Sequence, residues 1–355
     1  MSYNYTTSTV ISSEVSNTIV VLNLLSTRFV NHLPLVFAIF GLIGFIGNSL
    51  TYLQRELRWN TCCIYSLCGS LVDVINLFYN SFAIYLSGIY GIYIPWIKLP
   101  SMCKLYIFLI GFLPHLSINF LLMSVIDRYA STCKLTSSIR HLNKLKMVPR
   151  LIGITIIFSI LASVRACILY EYQIPSGCVV TQPVLNGIIY IVINGISQPM
   201  AMLIFVLLTF RNVRRSRQRV GGTATLRSHH SRNQFMAMIF LQVLVTAFIS
   251  LQWIITYTYY IIPINGVRTA EQTAIISFAY SLTNKFYYLN NVKSFYLSLL
   301  SSRFFRQTFI KALIRVLPRR VCQRRQILQA NISMMTATKV HQQRTTAHEL
   351  VTTAY

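Results

Sequence analysis

Residues 102–129 read MCKLYIFLIGFLPHLSINFLLMSVIDRY. From Met102 to Ile126 the run carries one charged side chain, Lys104 near its start, and the pair Asp127-Arg128 then closes it. Its 25 residues rise about 37 Å as an α-helix at 1.5 Å each, enough to cross a hydrocarbon core about 30 Å thick. Backbone facing lipid must satisfy its own hydrogen bonds, and the ten-residue alternation of barrel strands is absent, so the segment reads as a membrane-spanning helix.

The rest of the chain repeats this composition. Of 355 residues, 54% are hydrophobic and only 11% charged, against about a quarter charged in soluble domains. A net charge of +25 would suit a nucleic-acid binder, but too few polar residues remain to cover a wettable surface. Eight cysteines in this length are too sparse for a disulfide-stapled mini-protein. Apolar runs recur at 33–53, 61–87 (broken by Asp73), 102–126, 151–170 (with Arg165), 184–210, 235–262 and 273–300 (with Lys285 and Lys293). The expected fold is therefore an all-α membrane protein, a seven-helix bundle over residues 33–301. It is preceded by an extracellular tail (1–32) and followed by a short interfacial helix (302–317) and a cytoplasmic tail (318–355).

Basic residues in the connections set the orientation, because positive loops stay in the cytoplasm. One side holds Arg28, Lys98 and Arg268, whereas the connections and tail on the other side hold 24 Lys and Arg. The amino terminus is thus expected outside and the carboxyl tail inside, with the first span acting as a signal anchor. No internal repeat of the kind that builds inverted-repeat transporters is evident. Residues 211–233, basic and containing Gly221-Gly222, read as a cytoplasmic loop.

Cys103 precedes Arg128 by 25 residues, about seven helical turns, which puts it at the outer surface. Cys178 falls in the outer loop between the fourth and fifth spans, in the compartment where disulfides persist. A Cys103–Cys178 bridge would pin that loop over the bundle mouth; the alternative is two free thiols.

These residues, together with Gly47-Asn48, Leu71-Val72-Asp73, Asp127-Arg128-Tyr129, Pro199 and Ser294-Phe295-Tyr296, make residues 30–317 resemble a rhodopsin-like (class A) G-protein-coupled receptor. Each motif is short, but five stand in the right spans and in order. The resemblance implies that Arg128 engages a heterotrimeric G protein when the inner ends of helices five and six swing outward. The competing reading has Arg128 snorkelling to the headgroups. It also implies a buried polar switch of Asn48, Asp73, Ser117 and Tyr296. In the family the acid matching Asp73 commonly binds sodium, but this chain has Val292-Lys293 where the family has Asn-Pro. Lys293 is expected to donate to Asp73 in place of the ion, since two buried opposite charges offset their desolvation only if they meet. Alternatively, Lys293 snorkels to the inner surface.

Other positions depart from the family. Gln252 stands where the sixth span usually has a proline, the fourth span lacks its usual tryptophan, and Arg232 stands where some members carry an acid that holds the arginine. A weak inner lock and raised basal signalling are the expectation. Trp253, Tyr257 and Tyr260 share one helix face, either as packing or as the wall of a ligand pocket. Ile110 occupies the third-span place of the aspartate found in amine receptors, which argues against a biogenic amine. Lys104, Arg165 and Lys285 near the mouth favour an anionic group or a peptide. Lys285 misses the chromophore-linking position of opsins by one residue, a rotation of about 100°.

Past the seventh span, Phe305, Phe309, Leu313 and Val316 fall on one face, with Arg303, Arg306 and Lys311 away from it, a basic amphipathic pattern that suits the membrane surface. Cys322 follows as a palmitoylation candidate or a free thiol. Asn4-Tyr5-Thr6 is a glycosylation sequon on the outer side, and Ser333, Thr336, Thr338, Thr345 and Thr346 are candidate kinase sites. No phosphate loop, HExxH or free carboxylate pair is present, so neither catalysis, a metal nor a cofactor is expected. The expected partners are an extracellular ligand of peptide type, as in divergent invertebrate neuropeptide receptors, a G protein, arrestin and plasma-membrane lipid, but no nucleic acid. The rival class is an ion channel or transporter, with a light-sensing opsin behind it.

Overall fold

The computed structural model describes residues 5–91, 99–133, 137–173, 177–219, 226–261 and 269–316. In chain order the helices are α1 (Tyr5–Arg28), α2 (Leu33–Tyr52), α3 (Thr61–Asn76), α4 (Ala83–Tyr90), α5 (Pro100–Thr132), α6 (Val148–Ser163), α7 (Arg165–Leu169), α8 (Pro183–Tyr190), α9 (Gln198–Arg219), α10 (Leu226–Ile261), α11 (Ala270–Tyr287), α12 (Lys293–Ser301) and α13 (Arg303–Val316). A hairpin of β1 (Tyr170–Gln173) and β2 (Gly177–Val180) separates α7 from α8.

Among the described residues, six helices are long and apolar enough to cross a membrane: Asn17–Tyr52, Thr61–Tyr90, Pro100–Thr132, Leu145–Leu169, Pro183–Arg215 and Met236–Ile261. The run at 273–300, expected as one span, differs from them. It forms α11 and α12 with a single 3-10 turn, Tyr288–Asn291, between them, and it holds Lys285 and Lys293. A second difference lies at the amino terminus. Residues 1–32 read as a tail, but from Tyr5 they are helical, and α1 packs along α11.

Helix α5 runs through the centre, touching α3, α6, α7, α9 and both strands. Tyr65, Leu113, Leu116 and Phe120 form the core of its contact with α3. On the other side of the bundle, the glycines of α2 set the spacing. A Cβ at Gly41 would collide with Leu77 Cδ1, and one at Gly47 would collide with the Phe295 ring. Lipid supplies little apolar driving force between helices, so close backbone approach at small residues is what holds such contacts. At Gly41 the Leu77 methyl would have to turn aside, whereas at Gly47 the Phe295 ring fills the place of a side chain, and there α12 is seated against α2.

Two helices open into π-turns, Leu77–Phe82 between α3 and α4 and Ile191–Ser197 between α8 and α9. The hairpin is antiparallel, with Tyr172 opposite Cys178, and a Cys103–Cys178 disulfide (Cα–Cα 5.6 Å) ties it to the first turn of α5. Helix α11 starts with a capping box, Thr269 with Gln272, which satisfies its first backbone donors. Helix α13 runs into a second compact unit that begins at Gln307, of which the structure describes Gln307 to Val316 as helix.

Candidate functional site

A cavity of about 320 Å³ opens beside the disulfide end of α5. Its wall is largely aromatic, with Trp253, Tyr257, Tyr280, Tyr287 and Tyr190 as neighbours. The Trp253 indole donates to the Tyr190 hydroxyl at 2.9 Å, so the two rings hold each other in place. Each π-turn contributes an asparagine to the wall, Asn80 from one and Asn194 from the other. An extra residue in a helical turn rotates the residues after it about the axis, and such turns recur at functional sites. Asn194 Oδ1 lies 2.9 Å from His115 Nδ1, and Asn80 donates to Asn76.

Arg165 is the one cation in this wall, and no carboxylate joins it among the described lining residues. Its Nη1 donates to Asn186 Oδ1 at 2.7 Å and to the Asn186 carbonyl at 3.2 Å, and its guanidinium stands 5.3 Å over the Tyr190 ring. Asn186 in turn donates to the Tyr170 hydroxyl at 3.2 Å. Burial pushes the Tyr170 phenol above its ordinary value, against the pull of Arg165 and of the Asn186 bond, so it stays a protonated donor near neutrality. The arrangement offers a fixed positive charge and amide groups at the edge of an aromatic bowl. That suits an anionic group attached to a flat or apolar body.

Of the residues singled out as ligand contacts, Ile110, Trp253 and Tyr257 line this cavity. Tyr260 does not. It is 42% exposed and stacks its ring on Tyr280 at 4.2 Å: it shares the face of Trp253, but seven residues at 1.5 Å each set it about 10 Å further along the helix. Among the three cations expected at the mouth, only Arg165 lines the cavity; Lys285 is buried elsewhere and Lys104 is half-buried.

A second polar cluster sits deeper. Ser117 donates to Asp73, Asn48 donates to Ser70 Oγ at 3.0 Å, and Gln242 donates to Ser298 Oγ at 3.0 Å. Asp73, Ser117, Asn290 and Lys293 border a small void of about 40 Å³. The expected Asp73–Lys293 bond does not form. Lys293 Nζ donates to the Asn290 carbonyl at 3.1 Å and to Asn290 Oδ1 at 2.6 Å, because the 3-10 turn before Lys293 brings the residue three back within reach of the ammonium. Tyr296 also stays apart from this cluster: its hydroxyl donates to the Phe40 carbonyl at 2.9 Å.

The other end of α5 holds Asp127-Arg128-Tyr129. Arg128 Nη2 donates to Asn60 Oδ1 at 2.8 Å, Thr61 Oγ1 donates to Asp127 Oδ1 at 2.7 Å, and Asn143 Nδ2 reaches the Asp127 carbonyl at 3.3 Å. Tyr129 packs its ring on Phe205, 5.6 Å between centroids. A sliver of about 20 Å³ beside Arg128 is walled by Val206, Phe210, Ile239 and Phe240 of α9 and α10, so those helices lie close over the guanidinium. The expectations for Asn4 and Cys322 lie outside the described residues, as does the side chain of Arg232.

Sequence reading passed over Asn60, Asn186, Asn194, Gln242 and Asn290. The available signal was simple: each is an amide in or beside an apolar run, where a polar group is costly unless it has a partner. Among the described residues no cluster of His, Cys, Asp and Glu is placed to hold a metal. No known protein family matches the chain, and no curated protein matches it.

Proposed function

We propose that this chain is a seven-span receptor of the rhodopsin-like type. In this reading it binds an extracellular peptide or other anionic ligand in the tyrosine-rich cavity and activates a G protein through Arg128. The observation that supports it most is an arrangement on one helix. The two ends of α5 carry a disulfide-pinned cavity whose one cation among the described residues is Arg165 and, 25 residues from Cys103, a guanidinium bonded to the Asn60 amide under α9 and α10. The count of 24 basic residues against three gives the orientation, amino terminus outside and carboxyl terminus in the cytoplasm. Helices α11 and α12 together make the seventh crossing, and the basic amphipathic α13 suits a membrane surface.

Activation follows from differential binding. A ligand that bridges Arg165 and the aromatic wall presses on Trp253 and Tyr257 of α10. Because α10 runs on from there to the sliver beside Arg128, a tilt at the wall displaces the inner end and frees the guanidinium for a G protein. Gln252, rather than a proline, stands next to Trp253, so the hinge rests on side-chain packing and not on a missing backbone donor.

The test is a peptide-library screen on cells carrying a second-messenger reporter, followed by nucleotide exchange on purified G protein with the chain in nanodiscs. Ligand-stimulated exchange supports the receptor. Ligand-evoked current in vesicles lacking any G protein would replace it with a channel.

A further inference from the structure

We propose a second binding site, at the inner end of the bundle, for the phosphorylated inositol headgroup of a membrane lipid. Where α5 ends and the span Leu145–Leu169 begins, a 3-10 turn over Ser138–Asn143 curls around an open basin of about 360 Å³ lined by Ser131, Ser137, Arg140, His141, Asn143 and Lys144. Two permanent cations, an imidazole, the Ser137 hydroxyl and the second N–H of the Asn143 amide line it, with no acid among the described lining residues; the Ser131 hydroxyl and one Asn143 N–H are already given to backbone carbonyls. This is the donor set that phosphate monoesters on a ring take up, each ester presenting up to two negative charges and several acceptor oxygens.

The source of that phosphate is the bilayer, for two reasons. The basin stands between the ends of two helices long and apolar enough to cross a membrane, Pro100–Thr132 and Leu145–Leu169, which in a bilayer would set it at headgroup depth. It is also flanked by Ile139 and Leu145, large apolar side chains left 40% and 44% exposed, each next to a basic residue of the basin, Arg140 and Lys144. A soluble anion gains nothing from such neighbours, whereas acyl chains cover them. The basin is also wired to the transducing end of α5. Asn143 donates to the Asp127 carbonyl, and Ser131 donates to the Arg128 carbonyl at 2.7 Å. A headgroup held by the same turn would fix the backbone that carries Arg128.

The full chain in phosphatidylcholine nanodiscs would be titrated with phosphatidylinositol 4,5-bisphosphate, and bound lipid counted by native mass spectrometry. This readout needs neither G protein nor agonist, so it stands apart from the receptor assay. Wild type is expected to prefer this lipid over phosphatidylserine at matched charge. R140Q/K144Q should weaken binding about thirtyfold, as two lost cations predict, whereas R211Q/R214Q on α9 should leave it within about twofold. Ser137→Ala keeps every charge and should cost about fivefold, one hydrogen bond's worth, which separates a shaped site from diffuse attraction. Equal binding of matched phosphatidylserine, or no change in R140Q/K144Q and Ser137→Ala, would overturn the site. Soluble inositol trisphosphate or a phosphorylated peptide of the carboxyl tail binding as tightly, without help from the bilayer, would overturn the lipid as its source.

Discussion

Arg165 and Arg128 are both arginines set against a bundle core, and the chain treats them in opposite ways. Arg165 stands in a cavity with an asparagine and a tyrosine face for company, and no acid is among the described residues of the wall. Arg128 stands beside Asp127, held by Asn60 under the apolar flanks of α9 and α10. A cation without a counter-charge in a roomy cavity is left with unspent electrostatic attraction for whatever enters. A cation packed under two helices can meet a partner only after those helices move. The comparison teaches that two arginines of one chain can be left in opposite states; on the proposed reading one suits capture and the other gating, the difference being set by the space around each and by the acid next to Arg128.

The hardest blow to this contrast is loss of the clamp over the cavity. Cys103→Ser opens a loop closed across 75 residues, which should cost about 4 kcal/mol, and thermal unfolding in nanodiscs would register it as a large drop in Tm. An unchanged Tm would mean the bridge does not hold the mouth. Next, Arg128→Gln should cut G-protein nucleotide exchange by about a hundredfold, the upper end for a charged hydrogen-bonding group, with ligand affinity within about twofold. Arg165→Gln should show the reverse split, about thirtyfold weaker ligand binding with basal exchange intact. If both variants lose the same property, the two arginines are not doing separate jobs. The smallest effect is expected from Tyr170→Phe, which leaves Asn186 without its acceptor and should weaken ligand binding about fivefold without moving Tm.

Much of the frame was legible from composition alone. The runs that became α2 through α10 announce themselves because burying about twenty apolar residues in lipid outweighs every local preference. Cys103 and Cys178 were readable as partners because orientation leaves few cysteines on one side. The seventh segment was harder, since Lys285 and Lys293 dilute its apolarity and nothing in Tyr288–Asn291 marks the 3-10 turn that breaks it. That turn is also why Lys293 finds Asn290 and not Asp73. The helix before residue 29 reads as a tail because its Ser and Thr residues mask the pattern, whereas its packing on α11 is a long-range fact. Likewise the Trp253–Tyr190 bond joins residues 63 apart, and periodicity within one helix cannot reveal it.

The two π-turns leave the cavity dependent on a count as well as on composition. Asn80 and Asn194 enter the wall where the helices open into wider turns. Deleting a single residue from either segment would wind it back to a regular helix and swing its asparagine by about 100°. Related chains that keep every lining side chain but lose one position in the second or fifth span would therefore present a differently shaped bowl. Changes in what the cavity admits can arise from chain length without any change in the amino acids that touch the guest.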